Sequence, residues 1–214
     1  MTPDPVAGEN RLEAFLAAIF PSRAIGWLEL RALPGGARRF LRVDDYGSIR
    51  RFLRTHRDKN VFFGVATRAQ TGDGSLANCH DLWALFVDID FMKVPEAEVR
   101  PRLTRFSLAP SITIRSGHGL HVYWLLERVV DLRHHAARVS AILRALAQAV
   151  RGDISAAEPA RILRLPGSDN FKYEPPRPVT IELWKPKHRY MLDEFGPVLP
   201  RLAAHVPTVP AATR

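Results

Sequence analysis

An α+β fold with a mixed or antiparallel sheet is what this sequence predicts, and three observations predict it. Strand-like runs pair across short glycine-containing turns: "IGWLELRAL" and "RRFLRV" flank "PGGA", and "SITIR" and "LHVYWLLE" flank "SGHG". Other segments repeat apolar residues at helical spacing. Helices fall between only some of the strands, so the steady strand–helix alternation of a doubly wound sheet is missing.

In chain order, "RLEAFLAAIF" sets Leu12, Phe15, Leu16 and Ile19 on one helix face, and Pro21 stops it. After the first hairpin, Asp44 or Asp45 can cap a second helix with the stripe Tyr46, Ile49, Phe52 and Leu53. "NVFFGVATR" reads as a strand, "AQTGDGSLANCH" as a loop, and "DLWALFVDIDF" as a strand apolar on both faces. "PEAEVRPRLTRF" reads as a helix interrupted or shifted by Pro101. The second hairpin leads into the longest helix, 131–150, with Leu132, Ala136, Val139, Leu143, Leu146 and Val150 on one side. An irregular stretch precedes the strand "VTIELW".

At 214 residues the chain can build one sizeable core or at most two small ones. We expect a single domain over 1–205, with the Pro/Ala-rich 206–214 as a tail or linker. No apolar run reaches the roughly 18–20 residues of a membrane span, and "MTPDPVAGEN" lacks the basic and apolar regions of a secretory signal. A single cysteine, Cys79, excludes a disulfide framework and any multi-cysteine zinc site. A cytoplasmic protein without a membrane partner is expected. Lys and Arg number 31 against 22 Asp and Glu, a formal charge of +9 carried mostly by arginine, which favours a polyanionic partner.

The chemistry starts where "DLWALFVDIDF" breaks its own pattern. Asp88 and Asp90 continue the face of Leu82, Ala84 and Phe86, about 7 Å apart along the backbone. Two carboxylates so placed can converge on hard divalent cations such as Mg²⁺. Taken alone, the pair is also what a strand leaving the core for solvent would show. In "IRSGHGLHVYW", Gly117 and Gly119 permit a turn that aims N–H groups at an anion, Ser116 adds a hydroxyl, and His121 opens a strand. An ordinary hairpin turn with an incidental histidine explains it as well. His118 and His121 lie three apart on extended chain and make a poor metal pair. In "GDISAAEPARILRLPGSDNFK", Asp153 or Glu158 could return a third carboxylate, while Arg161, Arg164 and Lys172 supply cations.

In order and spacing, Asp88-Ile89-Asp90, Ser116-Gly117-His118-Gly119-Leu120-His121, and Asp153 followed by "RILRLPGSDNFK" resemble the catalytic domain of the archaeo-eukaryotic primase, or primase-polymerase, superfamily. The RepB-like and phage, plasmid or CRISPR-associated branch is the most similar, and the resemblance covers roughly 58–184. It implies an RRM-like sheet with flanking helices, an α/β amino-terminal layer, and a site in the cleft between. It implies catalytic Asp88, Asp90, Asp153 and His121, with the three aspartates holding two Mg²⁺ or Mn²⁺. Nucleotide binding falls to Ser116, Gly117, Gly119, His121, Arg161, Arg164 and Lys172. Its implied partners are a DNA template-primer, nucleoside triphosphates, and a helicase or other replication protein. The implied reaction is metal-dependent nucleotidyl transfer to a 3′-hydroxyl, as primase or template-directed polymerase. A non-catalytic replication initiator or DNA-binding module and a two-metal nuclease are the alternatives.

Several residues are read as structural instead: Trp83 and Trp124 as core, Cys79-His80 as loop, His134 and His135 as solvated, and "RRFLR" (50–54) as an exposed helix face. Arg68 is a minor candidate for contact with template or nucleotide.

Overall fold

The computed structural model describes residues 10–198. The tail expected at 206–214 lies outside the described residues, as does the amino-terminal decapeptide except its last position.

Helix α1 (Asn10–Ile19) is followed by strands β1 (Leu28–Leu33) and β2 (Ala37–Leu41), helix α2 (Tyr46–Thr55) and strand β3 (Asn60–Gly64). Strand β4 (Asp81–Asp90), helix α3 (Glu96–Arg105), strands β5 (Ile112–Arg115) and β6 (Gly119–Asp131), and helix α4 (Leu132–Val150) come next. The remainder is built of short pieces: β7 (Ile162–Arg164), β8 (Asp169–Asn170), β9 (Arg177–Pro178), β10 (Thr180–Trp184) and β11 (Arg189–Tyr190).

The strands form two main sheets. The first runs β2-β1-β3-β7, all antiparallel. In the second, β6 is central: it pairs antiparallel with β4 on one side and with β5 on the other, β10 continues beyond β5, and β11 runs parallel to the far end of β6. A two-stranded ladder of β8 and β9 completes the set. This is the expected α+β arrangement with antiparallel and mixed pairing.

Phe15 of α1 joins the two sheets. Its ring stands edge-on to Phe63 of β3 at 5.5 Å and to Tyr123 of β6 at 5.8 Å, and all three are fully buried. Burying a side chain of this size contributes roughly 1.5–3 kcal/mol. The opposite face of the second sheet is covered by α4, whose Val139, Ile142, Leu143, Leu146 and Val150 are sealed. Helices on both faces explain why β4 is apolar on both sides until its last residues. Trp83 and Trp124 are core, as expected.

One local alternative is resolved and one local expectation is corrected. Asp45, not Asp44, caps α2, its Oδ1 accepting from Ser48 N at 3.0 Å. Pro101 does not interrupt α3, which runs through it. The proline deprives only the Ala97 carbonyl of its helical donor, and Ala97 is exposed, so water can replace the bond.

Candidate active site

The two sheets leave a cleft of about 560 Å³ between them, and most of the residues singled out in the sequence line it. From the second sheet and its β5–β6 turn come Asp88, Asp90, Ser116, His118 and His121; from the first sheet come Leu33, Phe62, Ile162 and Arg164; Asn170 of β8 and the loop residues Lys93, Asp153, Arg161, Lys172 and Tyr173 close it.

The pairing of β4 with β6 sets the geometry. Asp88 faces His121 and Asp90 faces Gly119 across the ladder. His121 Nε2 stands 3.7 Å from Asp88 Oδ1. Its side chain is 2% exposed, its Nδ1 has no partner, and burial pulls its pKa down to about 4 despite the opposing pull of Asp88. A neutral imidazole with one N–H to give is therefore what the cleft holds at pH 7.

That value has a measurable consequence. Between the ordinary value of 6.5 and about 4, the unfolded chain binds a proton at this histidine that the folded chain refuses. Stability from this source is thus full above the unfolded value and falls with falling pH. In metal-free protein the loss from pH 6.5 to 5 is expected to be on the order of 1–2 kcal/mol, read by urea unfolding. His121→Asn should flatten that part of the profile; a parent profile flat over this interval would contradict it.

Asp153 reaches the site by a close backbone crossing. Helix α4 ends at Arg151 in the left-handed conformation (φ 64°), and Gly152 passes so near β4 that a Cβ would overlap Val87. Asp153 N then donates to Asp88 O at 2.7 Å. Its carboxylate is engaged locally, Oδ2 accepting from Lys93 Nζ at 2.6 Å and Oδ1 from Ser155 N and Oγ at 2.9 and 2.6 Å. The bond from Lys93 and those from Ser155 hold its pKa down at about 2. Arg161 sends Nη2 to 3.6 Å from Asp88 Oδ2. Among the described residues no three acidic, histidine or cysteine side chains are gathered as a ligand set for one ion. Asp88 and Asp90, partly exposed oxygen donors on one face, fit a hard divalent cation; Asp153 fits as a third once Lys93, 63% exposed, gives it up.

The 116–119 turn is built around Asn170, whose Nδ2 donates to Ser116 O at 2.9 Å. Gly117 (φ +95°) lies against the Asn170 side chain, where a Cβ would stand 2.8 Å from Cβ of Asn170. Gly119 is required by the sheet, since a Cβ there would overlap the Ile89 carbonyl oxygen. Both glycines shape the turn and neither lines the cleft. Arg164 lies over the Phe62 ring at 5.1 Å and donates to Asn60 Oδ1.

Glu158, the other candidate for a third acid, is exposed and off the cleft. Arg68 is fully buried: it pairs with Glu29 at 2.9 Å and donates to the Ala66 and Ala160 carbonyls. It is therefore closed to solvent and does not line the cleft. Sequence reasoning missed Lys93, Asn170 and Tyr173, and also His118, which meets Arg177 Nη1 at 2.6 Å and the Tyr173 ring at 5.3 Å. Asn170 was visible as part of "PGSDNFK"; Lys93, three residues beyond Asp90 in the mostly apolar "FMKV", carried no comparable signal.

No family model and no curated protein matches the sequence. Solved structures do. The primase-polymerase AEP domain of cyanophage S-2L superposes with a TM-score of 0.60 at 19% identity, covering 92% of this chain and all of that one. Primase RepB′ superposes at 0.59 and 14% identity over 89% of this chain, which spans 60% of RepB′. The catalytic domain of RepB′ in complex with initiator DNA gives 0.54 at 14% identity, over 81% of this chain and 82% of that one. The fold is that of the primase-polymerase catalytic domain. Among the described residues no helix is long and apolar enough to cross a membrane.

Proposed function

We propose that this chain is a metal-dependent nucleotidyltransferase, a DNA primase or template-directed DNA polymerase that adds nucleotides to a 3′-hydroxyl. The observation that carries the reading is the cleft itself. Two carboxylates sharing one strand face, a third acid tied by its backbone to the first, and a set of cations line one cavity of a fold found in primases.

Asp88 and Asp90 would hold divalent Mg²⁺ or Mn²⁺, with Asp153 completing the set. A pair of such ions lowers the pKa of an attacking hydroxyl and stabilises the oxygens of an in-line displacement at phosphorus. The protein's own groups do the rest. Arg161, Arg164 and Lys172 present positive charge along one wall, where the phosphates of a nucleoside triphosphate would lie. Neutral His121 and the Ser116 hydroxyl give uncharged hydrogen bonds to the same group. Lys93 keeps Asp153 charge-balanced in the metal-free protein and yields to a stronger cation.

One incubation tests this reading. End-labelled primer-template is mixed with nucleotides and either Mg²⁺ or Mn²⁺. Stepwise lengthening that needs metal is expected. Shortening of the strand would make the protein a two-metal nuclease, and binding with no change of length would make it a DNA-binding module.

A further inference from the structure

We infer that the partly exposed face of the first sheet, away from the core, is a track for a single nucleic-acid strand entering the cleft. The inference rests on the nucleotidyltransferase reading for the identity of that strand, the template, but not for its binding.

The track is a row in register across all four strands. Arg38 of β2 pairs with Arg31 of β1, Arg31 with Phe62 of β3, and Phe62 with Arg164 of β7. The row spans about 14 Å at the ordinary spacing of strands. Its inner end, Phe62 and Arg164, lines the catalytic cleft, as does Leu33 two residues beyond Arg31 on β1. On the sheet's other face Leu30, Ala32, Val61 and Phe63 are buried in the core, so the row faces away from it. Two guanidinium groups on this face lie over aromatic rings, Arg38 over Phe40 at 4.8 Å and Arg164 over Phe62 at 5.1 Å.

The cations are held in place from their own face of the sheet, by Glu29 two residues back on β1 and by the adjoining loop, where the Gly72 carbonyl accepts from Arg38 Nη1 at 3.2 Å. Arg31 Nε and Arg38 Nε both donate to Oε1 of Glu29 at 2.6 Å, while sealed Arg68 takes Oε2 at 3.0 Å. Glu29 is fully buried, and the outer two arginines remain about a third exposed, 34% and 30%. Three guanidinium groups thus share one carboxylate. Asp73, on the adjoining loop, engages both its oxygens with Ser75, and Arg38 Nη2 is buried without a partner. Positive charge left over on a rigid floor, beside flat rings, suits a strand whose phosphates meet Arg31 and Arg38 and whose bases stack on Phe62. Stacking requires unpaired bases, which selects single-stranded nucleic acid over duplex.

The test is binding of a fluorescent oligothymidylate in EDTA, where no chemistry occurs. Arg31→Gln with Arg38→Gln is expected to weaken binding at least ten-fold and to lower the salt slope by about 1.4, two phosphates at ~0.7 each. Phe62→Ala is expected to cost about ten-fold through lost stacking. Arg54→Gln with Arg57→Gln removes the same charge from exposed α2 positions and the loop after them, and should bind within two-fold of the parent. Row variants that bind like the parent, or a control pair that loses as much, would overturn the track. Because the row variants could unfold, the unaltered protein is also cross-linked to an oligonucleotide carrying 4-thiothymidine. Cross-links are expected on peptides holding Phe40 or Phe62, and cross-links confined to other elements would overturn it too. Failure of primer lengthening with this binding intact would count against the enzyme alone.

Discussion

Replacing Asp88 and Asp90 together by asparagine should lower nucleotide incorporation by at least roughly a thousand-fold while leaving the protein folded. The size follows from the charges removed. A single preorganised donor to a developing anion is typically worth about 10²–10³ in rate, and these two carboxylates are asked to hold the cations that meet the reacting phosphate. The fold should survive because neither side chain supports it. Asp88 is 23% exposed, with Arg161 and His121 as loose neighbours at 3.6 and 3.7 Å. Asp90 accepts one local bond from Met92 N, which an asparagine oxygen can also accept. The measurement is elongation of a labelled primer in Mg²⁺ and in Mn²⁺, with the thermal midpoint recorded alongside. A double variant that elongates like the parent would place the chemistry elsewhere. One that loses elongation and melts early would show instead that the carboxylates support the fold.

The same strand shows how far the sequence can be read. Asp88 and Asp90 stood out because β4 is apolar on both faces up to Val87, and burial beneath α4 on one side and α1 on the other explains that pattern. Hairpins marked by glycine were legible because their turns are short and local. Asp153's approach to Asp88 was legible only through the order of motifs, since it depends on a 19-residue helix ending where Gly152 can cross β4. The burial of Arg68 was not legible because "NVFFGVATR" continues as an apolar run to Arg68, whereas β3 ends at Gly64. Its partner Glu29 lies 39 residues away in the chain. The arginine–phenylalanine row was hidden for a similar reason. Its four residues come from four strands, and only the ladder register places them side by side. The two- and three-residue strands β7, β8, β9 and β11 are too short to leave a period in sequence.

The second large effect is structural. Gly119→Ala should destabilise the protein by more than about 4 kcal/mol, or leave a folded form with the end of β4 displaced. A φ in the left-handed region is not the reason, because Gly119 has none. The obstacle is backbone: a Cβ would overlap the Ile89 carbonyl oxygen and press on Ile89 C and Asp90 Cα at 3.1 and 3.3 Å. Backbone in a ladder cannot turn aside as a flexible side chain can, and the pairs Asp88–His121, Ile89–Leu120 and Asp90–Gly119 lie in unbroken register. Relief means opening the ladder at the point where it presents Asp90 to the cleft, so any folded fraction should also lose activity. Gly196→Ala is the matched control, having nothing within 4 Å of the added atom and no left-handed φ, and it should be neutral or slightly stabilising. Urea unfolding of the two variants reads the difference directly. Equal midpoints would mean that β4 and β6 do not close on one another at Asp90, and with that the spacing that sets both carboxylates on the cleft would be lost.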